Sequence, residues 1–142
     1  MLNCVNLAKV EGGNIIGGLV GYANVNDGKS KIINSFNIGD IFGTQDVAEI
    51  LGKKIATGKY YIINSFGLDN GKTAYNINQN DNDLEATNCT LYIKDFMKTE
   101  TFLKTLNDYV IEYNKGEKTD SGSREILEWK FDDKIGYPTL KY

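Results

Sequence analysis

Histidine is absent from all 142 residues, which removes Ser-His and Cys-His relays, histidine-ligated zinc or haem, and any imidazole pH switch. Arginine occurs once, at Arg124, so all but one of the 16 basic side chains are Lys, and 19 acidic ones leave a net charge of −3. Without a cationic field, nothing gathers nucleic acid or anionic lipid. No apolar run approaches the roughly 18 residues that span a bilayer. The start, Met1-Leu2-Asn3-Cys4-Val5-Asn6, has neither a basic nor an apolar leader region. Proline occurs once and cysteine twice, at Cys4 and Cys89, an even count that is weak evidence for pairing. The Asn88-Cys89-Thr90 sequon arises readily by chance where Asn is abundant and carries no weight. The length fits one domain that buries a real core, with room for an appended piece.

What the chain does have is self-similarity. Asn3-Cys4-Val5-Asn6-Leu7-Ala8-Lys9-Val10-Glu11-Gly12 aligns with Asn34-Ser35-Phe36-Asn37-Ile38-Gly39-Asp40-Ile41-Phe42-Gly43 at an offset of 31. A third copy, Ile62-Ile63-Asn64-Ser65-Phe66-Gly67-Leu68-Asp69, matches Ile32 to Gly39 at an offset of 30, and Asn88-Cys89-Thr90-Leu91 reads as a decayed fourth. Each copy contains strand-length β-rich runs with Gly and Asn between them, such as Gly18-Leu19-Val20-Gly21-Tyr22. So small a unit cannot bury its own apolar face. Stacking copies, each about 4.8 Å from the last, gives a mainly β protein built on a short parallel β-helix-like solenoid over residues 1–93. An antiparallel sandwich with chance similarity between hairpins is the competing architecture.

Alternate strand residues face opposite sides. Met1, Asn3, Val5 and Leu7, with Ile32, Asn34, Phe36, Ile38 and Ile62, Asn64, Phe66, Leu68, form the more apolar set and are expected inward. Asn3, Asn34, Asn64 and Asn88 then stack as an amide ladder that satisfies buried polar groups. In this register Cys4 and Cys89 lie three rungs apart, about 14 Å. That exceeds the roughly 7 Å limit for a disulfide, so both are expected as free thiols.

Beyond Asp69 the stretch Tyr75-Asn76-Ile77-Asn78-Gln79-Asn80-Asp81-Asn82-Asp83 reads as an exposed loop. Residues 94–142 read as a C-terminal cap over the last rung. A helix is expected over about 99–113, capped by Thr99, with Phe102, Leu103, Leu106, Tyr109 and Val110 on one face. A solvated linker follows at 115–123, then a closing strand and turn over 126–142 containing Trp129, Tyr137 and Leu140.

Gly17-Gly18-Leu19-Val20-Gly21-Tyr22, followed by Ile32 and Asn34-Ser35-Phe36-Asn37-Ile38-Gly39-Asp40-Ile41-Phe42-Gly43, resembles the GLUG repeat of secreted and surface-attached bacterial proteins, including some immunoglobulin A metallopeptidases. Met97-Lys98, Phe102-Leu103, Leu106-Asn107, Trp129 and Gly136-Tyr137-Pro138-Thr139-Leu140 are similar to the segment that often ends such an array. The chain departs from the pattern at Glu49, Lys53 and Lys54, and at Gly67, which replaces an Asn. The resemblance implies a repetitive β module outside the cell, within a longer exported polypeptide, with no catalytic residues of its own. Because Met1 falls where a rung is already under way, a C-terminal fragment is expected, with an N-terminal rung whose unpaired edges invite end-to-end self-association.

Several motifs have the composition of a site. Asn80-Asp81-Asn82-Asp83 with Glu85 groups oxygen ligands as calcium loops do, but lacks an EF-hand's central Gly and the β-roll nonapeptide. Gly12-Gly13-Asn14-Ile15-Ile16-Gly17-Gly18 has the glycine density of a phosphate loop without its Lys-Ser/Thr, and reads as corners. Among acids, Asp132/Asp133 and Glu125/Glu128 form no convergent pair, and Asp40 and Asp69 alone fall at neighbouring repeat positions, where solvation is the expected role. Tyr22, Tyr60 and Tyr61 are the candidate aromatic platform for sugars. No catalytic, cofactor-binding or metal residue is assigned. The function expected is a non-enzymatic structural or adhesive module at the bacterial surface with a protein or glycan partner. The alternative is a carbohydrate-binding or accessory module of a secreted enzyme.

Overall fold

The computed structural model describes residues 1–26, 28–55, 58–76, 83–116 and 125–141. The chain divides into two compact units, Met1–Ile93 and Lys94–Tyr142. The protein is mainly β with one α-helix.

The first unit contains β1 (Val5–Asn6), β2 (Val10–Glu11), β3 (Ile16–Gly17), β4 (Val20–Asn24), β5 (Lys29–Ile33), β6 (Phe36–Asn37), β7 (Ile41–Phe42), β8 (Val47–Ile55), β9 (Lys59–Leu68), β10 (Thr73–Tyr75) and β11 (Leu84–Tyr92). Every pairing in it is parallel: β1 with β6, β2 with β7, β3, β4 and β10 with β8, and β5, β6 and β11 with β9. Among the described residues no strand of this unit pairs with its neighbour in the chain. Hairpins, and with them the antiparallel sandwich, are excluded here. Val5 lies opposite Phe36, Phe36 opposite Phe66, and Phe66 opposite Thr90. Sequence spacing between facing residues is thus 31, then 30, then 24.

The core follows the inward set in the second and third copies. Ile32, Phe36, Ile62 and Phe66 have no exposed surface, and Ile38 and Leu68 are buried. Each such aromatic or branched side chain contributes about 1.5–3 kcal/mol by leaving water. The first copy departs from expectation: Met1 is 48% and Leu7 43% exposed. β1 is the outermost strand of its sheet, so among the described residues no strand pairs with its far edge. Parity also fails for Ser35, Asn37 and Ser65, assigned outward yet buried. Phe36, Ile38, Phe66 and Leu68 beside them are buried too, so both faces of these segments are enclosed. Asn3, Asn34, Asn64 and Asn88 have φ of 50°, 47°, 46° and 51°, the left-handed conformation that Asn tolerates better than other side-chain-bearing residues.

One expectation for the end of the first unit needs correction: Tyr75, assigned to the loop, closes β10. The fourth copy, Asn88 to Leu91, lies where expected, within the nine-residue strand β11 parallel to β9. Residues 77–82 of the predicted loop lie outside the described residues.

In the second unit a 3₁₀ turn at Phe96–Lys98 leads into α1 (Glu100–Gly116). Thr99 caps it: its Oγ1 accepts from Phe102 N at 3.2 Å and donates to Phe96 O at 2.7 Å. Glu100 in the first turn and Lys115 in the last complement the helix dipole. Phe102, Leu106 and Val110, spaced by four, are its buried residues. The helix runs three residues past the expected end, because polar Asn114 holds a structural bond rather than ending the pattern. The linker expected at 115–123 therefore begins inside the helix, and its remainder lies outside the described residues. The expected closing strand is two: β12 (Trp129–Asp132) pairs antiparallel with β13 (Tyr137–Leu140).

Asn107 and Asn114 join α1 to the segment before and within β12. Asn107 donates to Trp129 O at 2.9 Å and accepts from Trp129 N at 2.7 Å. Asn114 does the same for Ile126 O and N, both at 3.0 Å. Two helical turns and three extended residues each advance about 10 Å, so amides seven apart on a helix can serve backbone groups three apart on a strand.

Candidate functional site

The repeated polar positions of the first unit form three stacked columns. In the first, Asn34 Nδ2 donates to Asn3 Oδ1 at 2.6 Å, Asn64 Nδ2 to Asn34 Oδ1 at 2.7 Å, and Asn88 Nδ2 to Asn64 Oδ1. This is the ladder expected from the sequence. In the second column, Ser35 and Ser65 donate to the carbonyls two residues back, and Cys4 and Cys89 do likewise through Sγ. Cys4 N donates to Ser35 Oγ at 3.0 Å and Ser35 N to Ser65 Oγ at 3.4 Å. Both cysteines are free thiols, and burial pushes the Cys89 thiol pKa up.

The third column contains a side-chain exchange. Asn6 Nδ2 donates to Asn37 Oδ1 at 2.8 Å, and Asn37 fills the space beside Gly18, where an added Cβ would meet its Cγ at 2.4 Å. In the next copy the roles reverse. Gly67 stands where Asn is expected, and Glu49 stands at the position equivalent to Gly18. A Cβ on Gly67 would meet Glu49 Cβ at 2.4 Å. The Glu49 carboxylate has no exposed surface. It accepts from Asn37 Nδ2 at 2.7 Å, Leu68 N at 3.2 Å and Asn70 Nδ2 at 2.8 Å. Among the described residues it is the one buried carboxylate, and three donors hold it as a structural acceptor.

The remaining sequence candidates do not converge. Asp40 and Asp69 are exposed and lie outside the strands. Asn80, Asp81 and Asn82 lie outside the described residues, while Glu85 is exposed and faces Lys59 at 3.9 Å. Among the described residues no group of three or more Cys, Asp or Glu side chains is placed to hold a metal. In the glycine-rich segment, a Cβ on Gly17 would meet Val20 O at 1.9 Å and one on Gly18 would meet Glu49 O at 2.3 Å, so these two serve close backbone packing, whereas Gly13 has open space around it.

Of the aromatic candidates, Tyr22 and Tyr60 come together and Tyr61 does not. An open cleft of about 510 Å³ is lined by Tyr22, Asn24, Ser30, Lys31 and Tyr60, with Met1 and aliphatic side chains completing it. Tyr22 is 46% exposed, whereas Tyr60 is 5% exposed and belongs to the core with Ile32, Ile50, Leu51 and Ile62. Burial raises the Tyr60 hydroxyl pKa. Tyr60 therefore serves as a wall of the cleft, leaving Tyr22 as its one stacking face. A second hollow, about 310 Å³, lies in the C-terminal unit against Tyr109, Glu112, Tyr113 and Gly116. Its two rings have centroids 6.3 Å apart. Sequence patterning assigned Tyr109 to the packed helix face and gave no sign of this hollow. No family model, curated protein or solved structure matches the chain.

Proposed function

We propose that the chain is a non-enzymatic structural or adhesive module of an extracellular bacterial surface protein, related to GLUG repeats, whose first unit winds as a short parallel β-solenoid. The single observation that carries this is the Asn3–Asn34–Asn64–Asn88 column, in which equivalent residues of four copies bond in series across parallel strands. A repeat whose polar residues are engaged in contacts between copies is built for shape, and Glu49, the one buried carboxylate among the described residues, is already held by three donors. Surface protease shaving and immunogold labelling of cells making the full protein test the location. Labelling at the envelope is expected, and a purely cytosolic signal would overturn it.

The cleft at Tyr22 favours one second function, glycan binding by an accessory module. It offers one exposed ring with Asn24, Ser30 and Lys31 as hydrogen-bond donors. On a glycan array, saturable binding to one sugar class that Tyr22→Ala abolishes would select this function over the first.

A further inference from the structure

We propose that copies of this chain stack head to tail, with the β1 edge of one copy adding in parallel to the β11 edge of the next. This rests on the winding proposed above. Three successive interfaces in the first unit follow one rule: a segment with Asn followed by Ser or Cys, within a strand or just before one, lies parallel to another of the same kind, with Asn on Asn. Both ends of the series present such a pair again, Asn3-Cys4 just before outermost β1 and Asn88-Cys89 within outermost β11.

The two edges complement each other in hydrogen bonding and in apolar surface. Each Asn of the column donates toward the N-terminal side, so exposed Asn88 ends it with an acceptor, Oδ1, that has no donor among the described residues. An incoming Asn3 continues the same register, with its amide over that of Asn88. Continuing the register places Leu2 to Leu7 of the incoming copy opposite Thr87 to Tyr92. Met1 and Leu7, the exposed first-copy members of an otherwise buried set, then lie over Ala86 and Tyr92. Residues 85–88 of β11 are exposed and accessible to it.

The register also has a covalent readout. Within one chain Cys4 and Cys89 are separated by the Ser35 and Ser65 positions, but stacking makes Cys89 of one copy and Cys4 of the next direct neighbours. Their spacing becomes about 4.8 Å, inside the Cα range of a disulfide. Diamide tests this on the full chain, taking up two electrons and two protons as two thiols become one disulfide. The expected result is a ladder of multimers on non-reducing gels, with peptide mapping joining Cys4 to Cys89. Cys4→Ser and Cys89→Ser should each abolish the ladder of bands, yet leave the concentration-dependent mass in sedimentation unchanged, since Ser fits this column at two positions already. Leu7→Lys should abolish both bands and mass while the melting temperature holds. A wild-type mass that stays monomeric at all concentrations would overturn stacking. Crosslinks dominated by Cys4–Cys4 or Cys89–Cys89 would do the same. Ser35→Cys with Ser65→Cys, in a Cys4→Ser/Cys89→Ser background, keeps the two proposals separable. An intrachain crosslink there without intermolecular association sinks stacking alone, and its failure sinks the winding as well.

Discussion

The Glu49/Gly67 exchange predicts a strong, specific coupling. Glu49→Gly removes the acceptor of the Leu68 N–H and of one Asn37 amide hydrogen, both buried, whereas exposed Asn70 turns to water. A buried donor left unsatisfied costs about 1–3 kcal/mol, so this variant should lose roughly 3 kcal/mol. Gly67→Asn drives a Cβ to 2.4 Å from Glu49 Cβ and 3.0 Å from Leu91 Cδ2. Overpacking of that kind costs about 1–3 kcal/mol. The double variant, Glu49→Gly with Gly67→Asn, recreates the arrangement already present one copy earlier at Gly18 and Asn37, and its glycine count is unchanged. It should recover about 2 kcal/mol or more of the summed loss, within the range found for residues in contact. Urea melts followed by far-UV circular dichroism measure all four states, and each single variant should also melt some 5–10 °C lower at about 2–4 °C per kcal/mol. Loss in the double variant equal to the sum of the singles within about 0.5 kcal/mol would refute the exchange.

Asn64→Ala should cost about 2–4 kcal/mol, because it interrupts the column on both sides and forces Ala to a φ of 46°; hydrogen exchange should quicken on β6 and β11 as well as β9. Asn107→Ala removes two bonds to the Trp129 backbone, and about 2 kcal/mol of stability in the C-terminal unit should go with a red shift of tryptophan emission. Because burial raises the Cys89 pKa, the folded chain holds that proton to higher pH than the unfolded one. The stability this confers is complete below the unfolded thiol's pKa, about 8.5, and is lost as pH rises through the folded value. Alkylation of Cys89 by iodoacetamide should accordingly be slower in the native chain than in urea at pH 8.5, and Cys89→Ser should flatten the alkaline limb of the stability profile.

Much of the first unit was legible because its signal lies in identical residues at fixed spacing. Asn34 and Asn64 share neighbours, so the column and its parallel order follow from alignment alone. Strict alternation misled at Ser35 and Asn37, since it allows one buried face where these segments have two. The change of spacing to 24 left Asn88-Cys89-Thr90-Leu91 recognisable as a fourth copy but hid β10 and the full length of β11. Glu49 and Gly67 each stood out as departures from the repeat. What the sequence hides is that they are one event, because the glycine that leaves the space and the side chain that fills it are 18 residues apart. Tyr60 looked like surface for a similar reason: one Tyr of an adjacent pair packs inward, and composition does not say which.

The two amide columns are electrically opposed. Asn34, Asn64 and Asn88 hand their hydrogens backward along the chain, whereas Asn6 and Asn37 hand theirs forward, so neighbouring lines of dipoles offset one another. The forward line ends on an anion: Glu49 can accept but has nothing to pass on, which makes it a chain terminator for that line. Each added copy brings its own Asn6–Asn37 pair as well, but only the backward line would run unbroken from copy to copy, and a longer stack would gain net polarisation along the axis in that one direction.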